Sequence, residues 1–237
     1  MQRKIKFAPG EFYHLYNRGT DKRIIFKSKK DHARFMVLLY LCNTNDQVRL
    51  GEEFRKGLTL NDMFDVKREN TLIDIGAYVL MPNHFHILVH EKEENGISSF
   101  MKKLCTAYSM YFNTKYDRSG GLFEGRFKAT HADYDNYLKY LFSYIHLNPV
   151  KHIDSEWKEN GIRNRKKAKN FLNTYQYSSY LDYKGVKRNE RQIINREPFP
   201  DYFSDRNSFD NYIDDWLGYD IEQFTQGPTS RARSVLV

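Results

Sequence analysis

The chain has 237 residues, 40% hydrophobic and 16% aromatic, which is enough for one large domain or for a domain with an appendage. A balance of 38 Lys and Arg against 30 Asp and Glu gives a net charge of +8, which favours a polyanionic partner. The apolar runs at 35–42 and 75–80 fall short of the roughly 18 residues that span a bilayer. The start Met1-Gln-Arg-Lys-Ile-Lys6 has no apolar signal core, so a cytoplasmic protein without a membrane partner is expected.

In chain order, a basic start ends in the turn Pro9-Gly10, and Phe12 to Asn17 reads as a first strand closed by Arg18-Gly19-Thr20. His14 points out of one face of it, a lone polar residue of the kind that is usually structural. Ser28-Lys-Lys-Asp31 has the form of a capping box, and Phe35, Met36, Leu39 and Tyr40 recur at helical spacing, so a helix is expected over 28–43. Cys42, and Cys105 further on, lie in such apolar patterns without ligand spacing and read as buried thiols. Residues 44–70 are polar and mixed in charge, an insertion loop with room for one short helix. The β-rich run from Leu72 to Met81 is a second strand, turning through Pro82-Asn83 into a third.

From Ile97 through Phe112 apolar residues repeat every three or four places, giving a second helix over 97–115. Its other face carries Lys102 and Lys103, either a solvated face or one suited to phosphate. Gly120 to Lys128 interleaves glycine, the ring of Phe123 and the charges of Arg126 and Lys128. That is either a glycine-rich turn or a surface on which bases stack and phosphates bind. A short strand to His131 precedes a third helix that Pro149 stops. The order β, α, β, β, α, β, α predicts an α+β, ferredoxin-like split βαβ sandwich, with helices on one face of an antiparallel sheet and an open face exposing His84 and His86. Domain boundaries are expected near 150 and 190: a catalytic domain, a basic C-terminal extension over 151–190, and an acidic appendage with a flexible tail over 191–237.

The chemistry concentrates at Met81-Pro-Asn-His84-Phe-His86. A strand has a side-chain period of two, so His84 and His86 share a face, about 7 Å apart, and can converge on one ion if other groups complete the shell. A polar face on which histidines happen to alternate is the other reading. On the third helix, at 100° per residue, Tyr140, Tyr144 and Asn148 share a face, whereas His146 points about 200° from Tyr144. Should this helix cross near the hairpin, Tyr144 is a hydroxyl nucleophile and Asn148 an oxygen ligand beside two imidazoles, the parts needed for displacement at phosphorus. Core packing is the ordinary use of such a tyrosine.

Three motifs, Met81-Pro-Asn-His-Phe-His86, Gly121-Leu-Phe-Glu-Gly-Arg-Phe-Lys128 and Tyr144-Ile-His-Leu-Asn-Pro-Val150, occur in the order and spacing of the REP-associated tyrosine transposases of the single-tyrosine HUH superfamily, IS200-like. Tyr13-His-Leu-Tyr-Asn-Arg-Gly19 and Tyr177-Ser-Ser-Tyr180 resemble that family's opening strand and post-catalytic segment. The resemblance covers about residues 10–185. It implies that His84 and His86 bind a divalent metal, Mg²⁺ or Mn²⁺, that Asn148 completes the metal site, and that Tyr144 is the nucleophile. It also implies cleavage of single-stranded DNA near a hairpin through a 5′-phosphotyrosine. The DNA-contacting set expected beside them is Arg18, Lys102, Lys103, Phe123, Arg126 and Lys128. Two rivals remain: an HUH nickase for replication or mobilisation, and a non-catalytic single-strand-binding module. Whether the protein acts as a monomer or a homodimer is left open.

Overall fold

The computed structural model describes residues 5–46, 50–203 and 205–218. Strand β1 (Phe12–Arg18) leads to helix α1 (Lys29–Leu41). At its start Ser28 Oγ accepts from the Asp31 N–H at 3.3 Å, while the Asp31 carboxylate accepts from the Ser28 N–H at 2.8 Å, the reciprocal pair expected of a capping box. Within the insertion lie α2 (Leu50–Arg55) and a 3₁₀ turn at Asp62–Asp65, where buried Met63 and Phe64 anchor it. Strands β2 (Ile73–Met81) and β3 (His84–Glu91) pair through a two-residue turn, followed by α3 (Gly96–Lys115), β4 (Lys128–His131) and α4 (Asp135–Leu147). After a 3₁₀ turn at Asn148–His152 come α5 (Trp157–Asn160), α6 (Arg165–Leu172), α7 (Tyr180–Tyr183) and α8 (Arg206–Gly218).

The sheet order is β2-β3-β1-β4, antiparallel throughout, so the α+β split βαβ arrangement is observed. On one face Phe85, Ile87 and Val89 of β3 pack with Phe35 and Leu39 of α1 and Phe100 and Leu104 of α3. Asp31 ties these two helices together, accepting from the hydroxyls of Tyr116 at 2.7 Å and Tyr111 at 3.0 Å and from the Lys115 ammonium. Burial raises the Asp31 pKa, but these donors outweigh it and hold the carboxyl below its ordinary value.

The third helix goes elsewhere. An open face bearing His84 and His86 does not exist, because α4 crosses it. Ala77, Val79 and Met81 of β2 and Leu88 of β3 share a second cluster with Leu138, Leu141 and Ile145 of α4. Those four strand positions are apolar, and leaving them wet would forfeit about 25 cal/mol per Å² of buried surface. The C-terminal segment completes this layer. Phe199, Phe203, Phe209 and Ile213 join the same cluster, so the acidic appendage shares the core of the sheet instead of building its own.

A bulge in β2 falls at Gly76, whose missing side chain admits Phe199: a Cβ there would lie 2.6 Å from that ring. The acidic residues of α8 meet the basic extension in ion pairs, Asp214 with Lys169 at 2.8 Å and Asp210 with Lys184. The part of the acidic segment beyond residue 218, including Asp220, Glu222 and the tail, lies outside the described residues, as do residues 1–4. Among the described residues, no helix is long and apolar enough to cross a membrane.

Candidate active site

The turn between β2 and β3 puts His84 at the mouth of a cleft and His86 one step inside. Across the cleft, α4 presents Tyr144, two turns after its start. The histidine rings lie 5.1 Å apart at 84°, and the Tyr144 ring is 5.4 Å from His86. The cleft encloses about 430 Å³ and is lined by His84, His86 and Tyr144 together with Arg18, Lys22, Lys128, Lys151 and Lys158. Five cations around one small volume is the electrostatic setting of an anion such as a phosphodiester.

Each imidazole is oriented through Nδ1. His84 Nδ1 lies 2.7 Å from Asn83 Oδ1, and His86 Nδ1 lies 2.9 Å from His14 Nε2. The Nε2 atoms are left as the nitrogens that can ligate. Burial drives the His84 pKa to about 4, helped by the charges of Lys158 and Lys151, and burial with neighbouring His14 and His84 holds His86 well below its ordinary value. Both rings are therefore neutral at pH 7, as a ligand must be. Asn148 follows one turn after Tyr144 and is 1% exposed. Its side chain is a hydrogen-bonding neighbour of both His84 and Tyr144, yet neither its amide nitrogen nor its oxygen makes a well-formed hydrogen bond with them. A buried amide without partners costs on the order of 1–3 kcal/mol, so an oxygen waiting for a ligand fits this place.

Two imidazoles and an amide oxygen suit a hard or borderline divalent cation such as Mg²⁺ or Mn²⁺, with water or substrate filling the remaining positions. Among the described residues, no group of three or more His, Cys, Asp or Glu could hold a metal, so any site here depends on Asn148.

His14, which the sequence offers only as a lone strand histidine, sits behind the pair. It is fully buried, with its ring 5.0 Å from His86 and 5.8 Å from Tyr144, and burial lowers its pKa to about 3. For His86 Nε2 to offer a lone pair, its Nδ1 must carry the proton and donate to His14 Nε2. His14 is thereby fixed as the tautomer protonated on Nδ1, an atom that is buried without a partner. The signal in the sequence was parity: residues 14 and 86 lie on one face of adjacent strands, two residues out of register, with Tyr16 opposite His86.

The expected DNA contacts divide. Arg18 and Lys128 reach the cleft. Lys102 and Arg126 line a separate groove of about 730 Å³ with Phe127 and Asn17. Lys103 instead donates to the carbonyls of Thr44 and, at 2.9 Å, Asp46, closing the loop after α1. Phe123 is half-buried. Its ring sits edge-on to Phe85 at 5.9 Å, and it packs against the α1/α3 core because β1 bridges to it at Gly19.

Glu124 from the same loop holds Arg18, the second contact being 3.1 Å from Nη2 to Oε1. A carboxylate there competes with phosphate for the same guanidinium fork. Glu124→Gln is therefore expected to tighten hairpin binding about two- to fivefold, the scale of an exposed ion pair, and to steepen its salt dependence. Fluorescence anisotropy against salt measures both; weaker binding would make Glu124 a group that positions Arg18 for DNA.

On this geometry the chain is an α+β protein with a split βαβ sheet, in which a strand-borne histidine pair faces a helical tyrosine inside a basic cleft. Residues 38–148 match the family model described as Transposase IS200 like, so the family resemblance carried by the motifs is borne out over that stretch. Among solved structures, the chain is similar to a REP-associated tyrosine transposase bound to a REP hairpin, at 13% identity and a TM-score of 0.47, over 80% of this chain and 89% of that one. It is also similar to tRNA(His) guanylyltransferase from Saccharomyces cerevisiae, at 9% identity and a TM-score of 0.35, over 85% and 86% of the two chains. No curated protein matches the sequence.

Proposed function

We infer that this protein is a single-tyrosine DNA strand transferase that cleaves single-stranded DNA at or near a hairpin. The observation that carries the reading is the contact of the Tyr144 ring with the His86 and His14 rings in a cleft rimmed by Arg18, Lys22 and Lys128. Tyr144 lines the wall of this cleft, which at about 430 Å³ has room for a phosphate of a single strand but not for a continuous duplex.

The step is an in-line displacement. Tyr144 Oη bonds to phosphorus as the bond from phosphorus to the 3′-oxygen breaks. The phenol proton leaves to water, and the departing oxygen takes a proton from water. The products are a 5′-phosphotyrosine and a free 3′-OH, and attack by another 3′-OH on the phosphotyrosine joins a new strand and restores the enzyme. His84, His86 and Asn148 would hold a divalent cation, whose contribution when bound is to polarise a non-bridging phosphate oxygen. Arg18 and Lys128 grip the flanking backbone, and Lys102 and Arg126 give a second groove to the continuing strand. In this reading residues 1–150 carry the nucleophile and the metal-binding side chains, and the extension and acidic appendage close and brace the cleft.

The test is to mix the protein, with Mn²⁺, with hairpin oligonucleotides carrying single-stranded flanks and to run denaturing gels. A protein band shifted by one DNA fragment, together with a freed fragment ending in 3′-OH, is expected. Tight DNA binding without any such band would favour the non-catalytic module.

A further inference from the structure

Beyond residue 148, where the family match ends, the chain turns back and adds Lys151, His152 and Lys158 to the cleft. Lys158, on α5, places its Nζ 3.1 Å from Tyr144 Oη and 4.5 Å from the centre of the same ring. That turn is fastened in place: the Arg163 N–H donates to Asp154 Oδ2 at 3.0 Å, Arg163 Nη2 pairs with Glu156, and Ile153, Trp157 and Ile162 pack against the core under α4. Asn148 also reaches the Tyr144 phenol, but among the described residues Lys158 is the cation that hydrogen-bonds to Oη. Lys158 is half-buried, and it spends no carboxylate partner on its charge within the cleft.

We propose that Lys158 is a further catalytic residue, whose ammonium donates to Tyr144 Oη and stabilises the oxyanion character that this oxygen acquires as it attacks phosphorus and again when it leaves. The inference rests on Tyr144 being the nucleophile. Negative charge develops on the phenol oxygen as it attacks, and Tyr144 is 4% exposed, so little water is at hand to solvate it. A cation already seated on the oxygen needs no reorganisation when negative charge develops, and in a water-poor cleft it acts more strongly than in bulk. Burial, with Lys151 nearby, also lowers the Lys158 pKa to about 8, so most of the population still carries the charge at pH 7. The bonds made and broken are those of the strand-transfer step; Lys158 adds no co-reactant and keeps its proton throughout.

The experiment compares single-turnover adduct formation and hairpin affinity for wild type, Lys158→Met and Lys158→Ala, with Mn²⁺ and saturating protein. Loss of a preorganised donor at an oxyanion costs on the order of 10²-fold, so at saturating protein Lys158→Met is expected to slow adduct formation about 100-fold, while hairpin affinity falls far less, by about the share of one phosphate contact. Methylammonium added to Lys158→Ala is expected to restore part of the rate, a readout that a merely structural lysine would not give. A Lys158→Met rate within about threefold of wild type overturns the proposal, as does loss of rate in proportion to loss of DNA binding. If Lys158→Met unfolds, the amine rescue of Lys158→Ala and the rate of Lys158→Arg decide, absence of both rescue and Arg activity counting against. Failure of the wild-type protein itself to form an adduct would instead overturn the nucleophile reading.

Discussion

Tyr144→Phe should abolish the covalent protein–DNA adduct while leaving hairpin affinity and thermal stability close to wild type. The substitution removes one oxygen whose hydrogen bond is to Lys158, and it keeps a ring that packs against His14, His86 and Tyr140. Because the ring stays, the cleft keeps its shape and its cations, so binding and chemistry separate. Denaturing gels measure the adduct and anisotropy measures the affinity. Persistence of an adduct would shift attention to Tyr140, whose ring lies 5.9 Å from that of Tyr144 and whose phenol is likewise raised by burial. Mapping the modified peptide would then identify the attacking residue.

The second large effect concerns the imidazole pair. His86→Ala should lower both Mn²⁺ affinity and the adduct rate by at least about 100-fold, since even groups that only orient a ligand are worth 10–100-fold and His86 is itself the inner of the two histidines. His14→Ala should cost less, within that 10–100-fold range, because it leaves the His86 ring in place and removes the partner 2.9 Å from its Nδ1. The order His86 before His14 is the informative result. Calorimetric titration with Mn²⁺ measures affinity directly; equal affinity for wild type and His86→Ala would remove the histidine pair from the metal site. Adding excess Mn²⁺ should recover more activity in His14→Ala than in His86→Ala, since mass action can fill a distorted site but cannot supply a missing ligand.

Local rules carried the sheet and the first two helices. The capping box at Ser28 and Asp31, the two-residue turn at Pro82-Asn83 and the alternation through His84 and His86 each depend on neighbours within about four residues, so they are legible in one dimension. The shared helix face of Tyr144 and Asn148 is of the same kind. So is the family resemblance, which rests on short motifs in fixed order.

What only the tertiary structure decided is everything that depends on which face of the sheet α4 covers. Periodicity says that α4 is amphipathic, but not where its apolar stripe lies; Ala77, Val79, Met81 and Leu88 settled it by needing cover on the histidine side. That choice closed the face expected to be open and brought Tyr144 to His86. The return of the chain then set Lys158 on Tyr144, and strand pairing set His14 behind His86 across 72 residues of sequence. Phe123 and Lys103 also gained partners that no spacing announced, a core contact and a loop closure. A side chain's partners at long range depend on the burial of whole faces, a quantity summed over elements that no local spacing encodes.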